Sequence, residues 1–260
     1  MKRLDFLLLN LCVFPSYVWY VRRIVTGGEE VISVLLLPVC IMAAWKAKIQ
    51  SKDLLDYRTL AGATLYVVLW GIGAPAIVKA AVAIWILLYA TGCLPHFGVS
   101  ALGFLSLPWL SSFQYFFGFP LRKVVVEGAS LTLNAFGLPV YASGTGLAFQ
   151  GSQVFVDPPC SGVRMIWAVL FLSAILCVLF KTSWQKGVLT CTCGVLLAVL
   201  GNIVRATILF FPESELVQWP DWTHETVGVA AYLGICVALF MTLKLINNEP
   251  QTTYTHYANS

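Results

Sequence analysis

GVLTCTCGVLLAVLGNIVRATILFF, residues 187–211, runs for 25 residues with a single charged side chain, Arg205. As a helix it would rise roughly 37 Å at 1.5 Å per residue, more than the about 30 Å of hydrocarbon in a bilayer. The rest of the chain has the same bias. Of 260 residues, 59% are hydrophobic and 11% charged, and the mean hydropathy is +0.82. Soluble domains carry about 45–50% apolar and about 25% charged residues. This much apolar side chain does not fit inside one water-soluble core, so a soluble domain and a disordered chain are both excluded. The long uninterrupted runs also differ from the short alternating segments of a membrane β-barrel. The expected class is an all-α polytopic membrane protein, because backbone groups in lipid must be satisfied within the segment.

Working outward from 187–211, spans are expected near 5–21, 31–45, 59–77, 80–94, 98–118, 163–180 and 226–246, eight in all. The break between 59–77 and 80–94 rests on Gly71, Gly73, Pro75 and Lys79, and Pro108 marks 98–118 as kinked or entered late. Basic residues at span ends set orientation. With a cytoplasmic N-terminus, one face carries nine: Lys2, Arg3, Lys46, Lys48, Lys52, Arg58, Lys181, Lys186 and Lys244. The other carries five, namely Arg22, Arg23, Lys79, Arg122 and Lys123, so both termini are expected in the cytoplasm. The first helix reads as uncleaved, since no small-x-small site precedes Arg22. The small, dispersed net charge of +4 offers nothing to nucleic acid. Residues 1–260 are read as a single membrane domain.

One connection, Phe119 to about Gly162 on the extracytoplasmic side, is too long for a turn. Its first half, with Val124, Val125, Leu131, Leu133 and Phe136, reads as a short interfacial helix. Its second half alternates aromatic and β-branched residues with polar ones around Ser143-Gly144-Thr145-Gly146 and Gly151-Ser152, so one or two hairpin strands are expected. Asp157-Pro158-Pro159 then delivers the chain to Cys160.

Charged residues inside spans are costly and mark candidate sites. Arg164 follows Cys160 by four residues, one helical turn. Arg205 follows Asn202 by three and lies roughly 9 Å below the helix end near Phe211. His224 opens the last span at the same membrane level. A thiol, a guanidinium and an imidazole therefore converge from three segments, a set suited to nucleophilic attack on a carbonyl. A thiolate is favoured at a helix start and beside cations. His224 would take the thiol proton and return it to a leaving amine, and Arg205 would stabilise the oxyanion. Asp157, Asp221 and Glu225 are alternative partners for orienting His224, and Ser161 is a weaker alternative nucleophile. The other cysteines read as packing residues. Cys191 and Cys193 point to nearly opposite faces of a helix, so no metal is expected there. His96 and His256 read as surface or capping residues.

The ordered set Cys160-Ser161-Gly162 with Arg164, then Asn202-x-x-Arg205, then His224, resembles the exosortase/archaeosortase family of membrane transpeptidases. The likeness covers roughly residues 105–240, with Gly137-Leu138-Pro139-Val140 as the strand entry; Val163 stands where the family often has Leu. It implies Cys160 as nucleophile, Arg205 as its assistant and His224 in the third position, as in the bacterial branch. Arg164 and Asn202 would support them, without cofactor. Implied partners are exported proteins ending in a short motif, a transmembrane helix and a basic cluster, with an amine or lipid as acceptor. Hydrolysis and transpeptidation both fit. Rival readings are a multi-pass transporter, a non-catalytic assembly factor for exopolysaccharide or protein export, and another membrane acyltransferase with a Cys nucleophile.

Overall fold

The computed structural model describes residues 3–26, 56–156, 161–220 and 222–248. In chain order the elements are α1 (Arg3–Thr26), α2 (Tyr57–Gly71), α3 (Ala76–Ala90), α4 (Phe97–Leu105) and α5 (Leu110–Ala135). There follow β1 (Tyr141–Ser143), β2 (Gly146–Phe149) and β3 (Ser152–Phe155), then α6 (Val163–Leu179), α7 (Trp184–Glu213) and α8 (Thr223–Asn248). The span expected at 31–45 lies outside the described residues. The break between α2 and α3 falls where glycine and proline put it: Gly73 has φ +66°, and Pro75 immediately precedes Ala76.

Two expectations about residues 98–162 need correction. The span read at 98–118 is two helices. Pro108 has no N–H and its ring clashes with the preceding turn, so α4 stops at Leu105. The Phe104 carbonyl instead accepts the Leu107 N–H (3.2 Å) and the Trp109 indole N–H (3.0 Å). Nor is there a separate interfacial helix after Phe119, because α5 continues through Pro120 to Ala135. Proline removes one ladder bond there, and packing offsets the loss. Val126, Ala129 and Leu133, at helical spacing, are fully buried. Of the apolar residues read from the sequence, Val124, Leu131 and Phe136 are exposed.

Gly137, at φ +85°, ends α5, with Leu138 N–H donating to Leu133 O (3.1 Å) in a Schellman turn. Ser130 Oγ and Asn134 Nδ2 then both donate to the Val140 carbonyl (2.8 and 2.6 Å), holding the strand entry against the helix. The expected hairpin is a three-stranded antiparallel sheet in the order β1-β2-β3. The β2–β3 turn, Gln150-Gly151, has positive φ at both residues, as a tight two-residue hairpin requires.

The chain forms two compact units. One comprises the residues up to Gly118 with Cys177–Trp184, the other Phe119–Leu176 and the residues from Gln185 on. In the first, Val13, Tyr66, Ala83, Ile86 and Ala90 form the core, and the Tyr66 hydroxyl is hydrogen-bonded to Ser16 Oγ (2.7 Å). In the second, Val126, Ala129 and Leu133 of α5 pack with Leu147 and Phe149 of β2 and Phe210 of α7. A further cluster joins Val169, Ala198, Ile235, Leu239 and Leu243 across α6, α7 and α8.

Helices α7 and α8 are long and apolar enough to cross a bilayer, yet only 28% and 17% of the residues in their most apolar stretches are buried. On α8, Val229, Leu233, Val237, Met241 and Leu245 are exposed at intervals of four, forming a continuous stripe. Soluble proteins rarely expose such patches. A lipid environment accounts for both the composition and the exposure.

Candidate active site

One face of α7 carries Asn202, Arg205, Ala206, Leu209, Phe210 and Glu213, spaced three and one residues apart as a helical stripe must be. That stripe is one wall of an open pocket of about 450 Å³, counting the solvent at its mouth. Leu147 of β2 and Val154, Phe155 and Val156 in and after β3 form another wall, and His224, in the first turn of α8, a third. The sheet reaches this position because Phe149 stacks edge-on against Phe210, with centroids 5.6 Å apart. Helix α5 reaches α7 because Gly128 has no side chain; a Cβ there would stand 2.6 Å from Ile203 Cδ1.

Two contacts link the sequence motifs. Gly162 has φ +85°, and a Cβ on it would lie 2.9 Å from Asn202 Nδ2. The glycine after Cys160-Ser161 and the asparagine of Asn202-x-x-Arg205 thus touch, in a place only glycine fits. Ser161 is 1% exposed, and its Oγ accepts the Val163 N–H (3.5 Å) at the start of α6. Across the pocket, the Arg205 guanidinium lies over Gly228 of α8, one turn beyond His224. Arg205 is half-buried, and its Nε is a buried donor with no hydrogen-bond partner among the described residues. A buried donor left unpaired costs free energy, and the side chain that carries it lines the pocket.

The structure therefore brings Asn202, Arg205 and His224 to one pocket. Cys160, Asp157 and Asp221 lie outside the described residues. Arg164 is exposed and does not line the pocket. Helix α6 begins at Val163, directly after the left-handed turn at Gly162, so no continuous helix runs through Gly162 to Arg164. Glu225 is exposed and also off the pocket wall. Glu213 lines it and escaped the sequence reading, which ended this span at Phe211. Continuing the 202, 205, 206, 209 stripe by one turn would have found it.

Exposed apolar helices, with a pocket that gathers a few polar side chains among apolar ones, mark a membrane-associated α-helical protein with a candidate site on α7 and the start of α8. The family comparison carries the assignment further. A family model described as transmembrane exosortase (Exosortase_EpsH) matches residues 6–241, and the chain belongs to that family. The match takes in the N-terminal hundred residues, where no motif stands out. Comparison with curated proteins and with solved structures gave no match. Family membership carries a broad role in protein sorting and surface anchoring, a peptidase-like activity, and exported proteins as partners.

Proposed function

We propose that the protein is a cysteine transpeptidase or protease of the Cys/Arg/His type, cleaving C-terminal sorting signals of exported proteins through a thioester. Residues 105–240 form its catalytic core within one membrane domain of about eight spans. Both termini are cytoplasmic, and the site lies at the outer face of the inner membrane. His224 takes the Cys160 thiol proton as sulfur attacks the scissile carbonyl carbon. Arg205 stabilises the oxyanion, with Asn202 supporting. The C–N bond then breaks, and His224 returns its proton to the leaving amine. An amine or water resolves the thioester.

The observation that carries this reading is the contact between Gly162 and Asn202. Two residues of chain span at most about 7 Å, so connectivity alone keeps the Cys160 backbone that close to Gly162. The Arg205 Nε, without a hydrogen-bond partner among the described residues, supports it too, because an oxyanion needs such a donor.

The test compares strains carrying the native gene and Cys160→Ala at matched protein level, reading C-terminal peptides of membrane and secreted proteins by mass spectrometry. The expected result is a set of exported proteins that keep their hydrophobic, basic tails only in the variant. Matching profiles, with a transport or export defect only on full deletion, would favour the transporter or assembly factor instead.

A further inference from the structure

The chemistry assigned to Cys160, Arg205 and His224 leaves one polar wall residue unused. Glu213 continues the Arg205 stripe of α7, eight residues or roughly 12 Å further along the helix. It is exposed, whereas the Arg205 Nε is buried, so the carboxylate marks the open end of the pocket and the guanidinium its depth. Among the described residues that line the pocket, Glu213 is the one acid.

That arrangement bears on the second half of the reaction. Arg205 is permanently cationic, and His224, having returned its proton to the leaving amine, is neutral when the acceptor arrives. An amine arriving from water does so as an ammonium ion, and the charge of Arg205 would repel it. A carboxylate at the open end offsets that charge at the entrance.

Resting on the acyl-transfer reading above, we infer that Glu213 is the acceptor-binding residue, holding the ammonium group of an amine acceptor at the pocket entrance. His224 removes a proton from the held ammonium, and the amine nitrogen attacks the thioester carbonyl carbon. The C–N bond forms, the C–S bond breaks, and the Cys160 thiolate is reprotonated. The products are the new amide, the regenerated thiol and one proton released to solvent. Glu213 leaves the cycle as the carboxylate it entered. An ammonium-bearing acceptor is thereby favoured over water or an alcohol, which the carboxylate has no charge to attract.

The test uses the full chain in lipid nanodiscs with a substrate protein identified by the C-terminal comparison above. Two nucleophiles are supplied at neutral pH: hydroxylamine, which is mostly uncharged there, and ethanolamine, which is cationic. Glu213→Gln is expected to raise the KM for ethanolamine about threefold to fivefold, the scale of an exposed ion pair, while capture by hydroxylamine stays at the native rate. Glu215→Gln, also exposed but off the pocket wall, is expected to change neither. Equal losses with both nucleophiles, or none with either, would overturn the role of Glu213 and leave the thioester intact. If the native protein gave no adduct with either nucleophile, the acyl-transfer reading would fall and this inference with it.

Discussion

The guanidinium of Arg205 rests on Gly228: a Cβ at that position would stand 3.4 Å from Nε and 3.5 Å from Cζ. Gly228 lies one turn after His224 on α8, so the helix that presents the imidazole also provides the surface supporting the arginine. At these distances a methyl group makes ordinary contact, and anything larger displaces the guanidinium. Gly228→Ala should keep substrate processing within about threefold of native. Gly228→Leu should lower kcat/KM about a hundredfold, the scale of an ångström-sized displacement, with little change in Tm. Equal activity of the two variants would refute the support role.

Gly162 offers a stability test of the motif contact. Alanine there meets both a positive φ and the Asn202 amide. Gly162→Ala should lower unfolding free energy by about 1–3 kcal/mol. Adding Asn202→Ala removes the clash and leaves the backbone strain, so the pair should cost less than the sum of its members. Thermal unfolding in detergent, carried through the full double-mutant cycle, checks this.

The approach of α5 to α7 depends on Gly128, where a Cβ would fall within 3.2 Å of three Ile203 side-chain atoms. Gly128→Ala should cost about 1–3 kcal/mol by overpacking. Ile203→Ala in the same chain should recover part of it, and additive losses in Tm would show the two helices not to be in contact.

The exposed stripe on α8 makes a prediction about lipid. Leu233 is 58% exposed, and an aspartate near the centre of a membrane helix costs about 2.5–3.5 kcal/mol of insertion free energy. Leu233→Asp should therefore reduce the fraction of protein resisting alkaline extraction from membranes, while Leu233→Phe should not. Full retention of the Asp variant would mean that the stripe does not face hydrocarbon.

Composition settled the class, because 59% hydrophobic residues leave no soluble alternative. Local chemistry located most helix ends as well. Gly73 and Pro75 stop one pair, and the turn residues Gly144 and Gly151 sit between the strands they were expected to separate. Where the sequence misled, tertiary packing overrode a local signal. The apolar run ends near residue 118, but burial of Val126, Ala129 and Leu133 carries α5 on through Pro120.

The candidate site divides in the same way. Asn202, Arg205 and His224 announce themselves because a charged or polar group is rare in or beside an apolar run. Gly228 is silent in one dimension, and Gly162 and Glu213 show there only as a motif glycine and one further position on a stripe. A glycine's importance lies in which atom from another segment occupies its empty side, and a carboxylate's in which pocket it borders. Sequence alone determined that polar chemistry would gather at the ends of apolar helices. Only the tertiary structure decided that Asn202 meets Gly162 and Arg205 meets Gly228, since both depend on close approach between residues 40 and 23 positions apart.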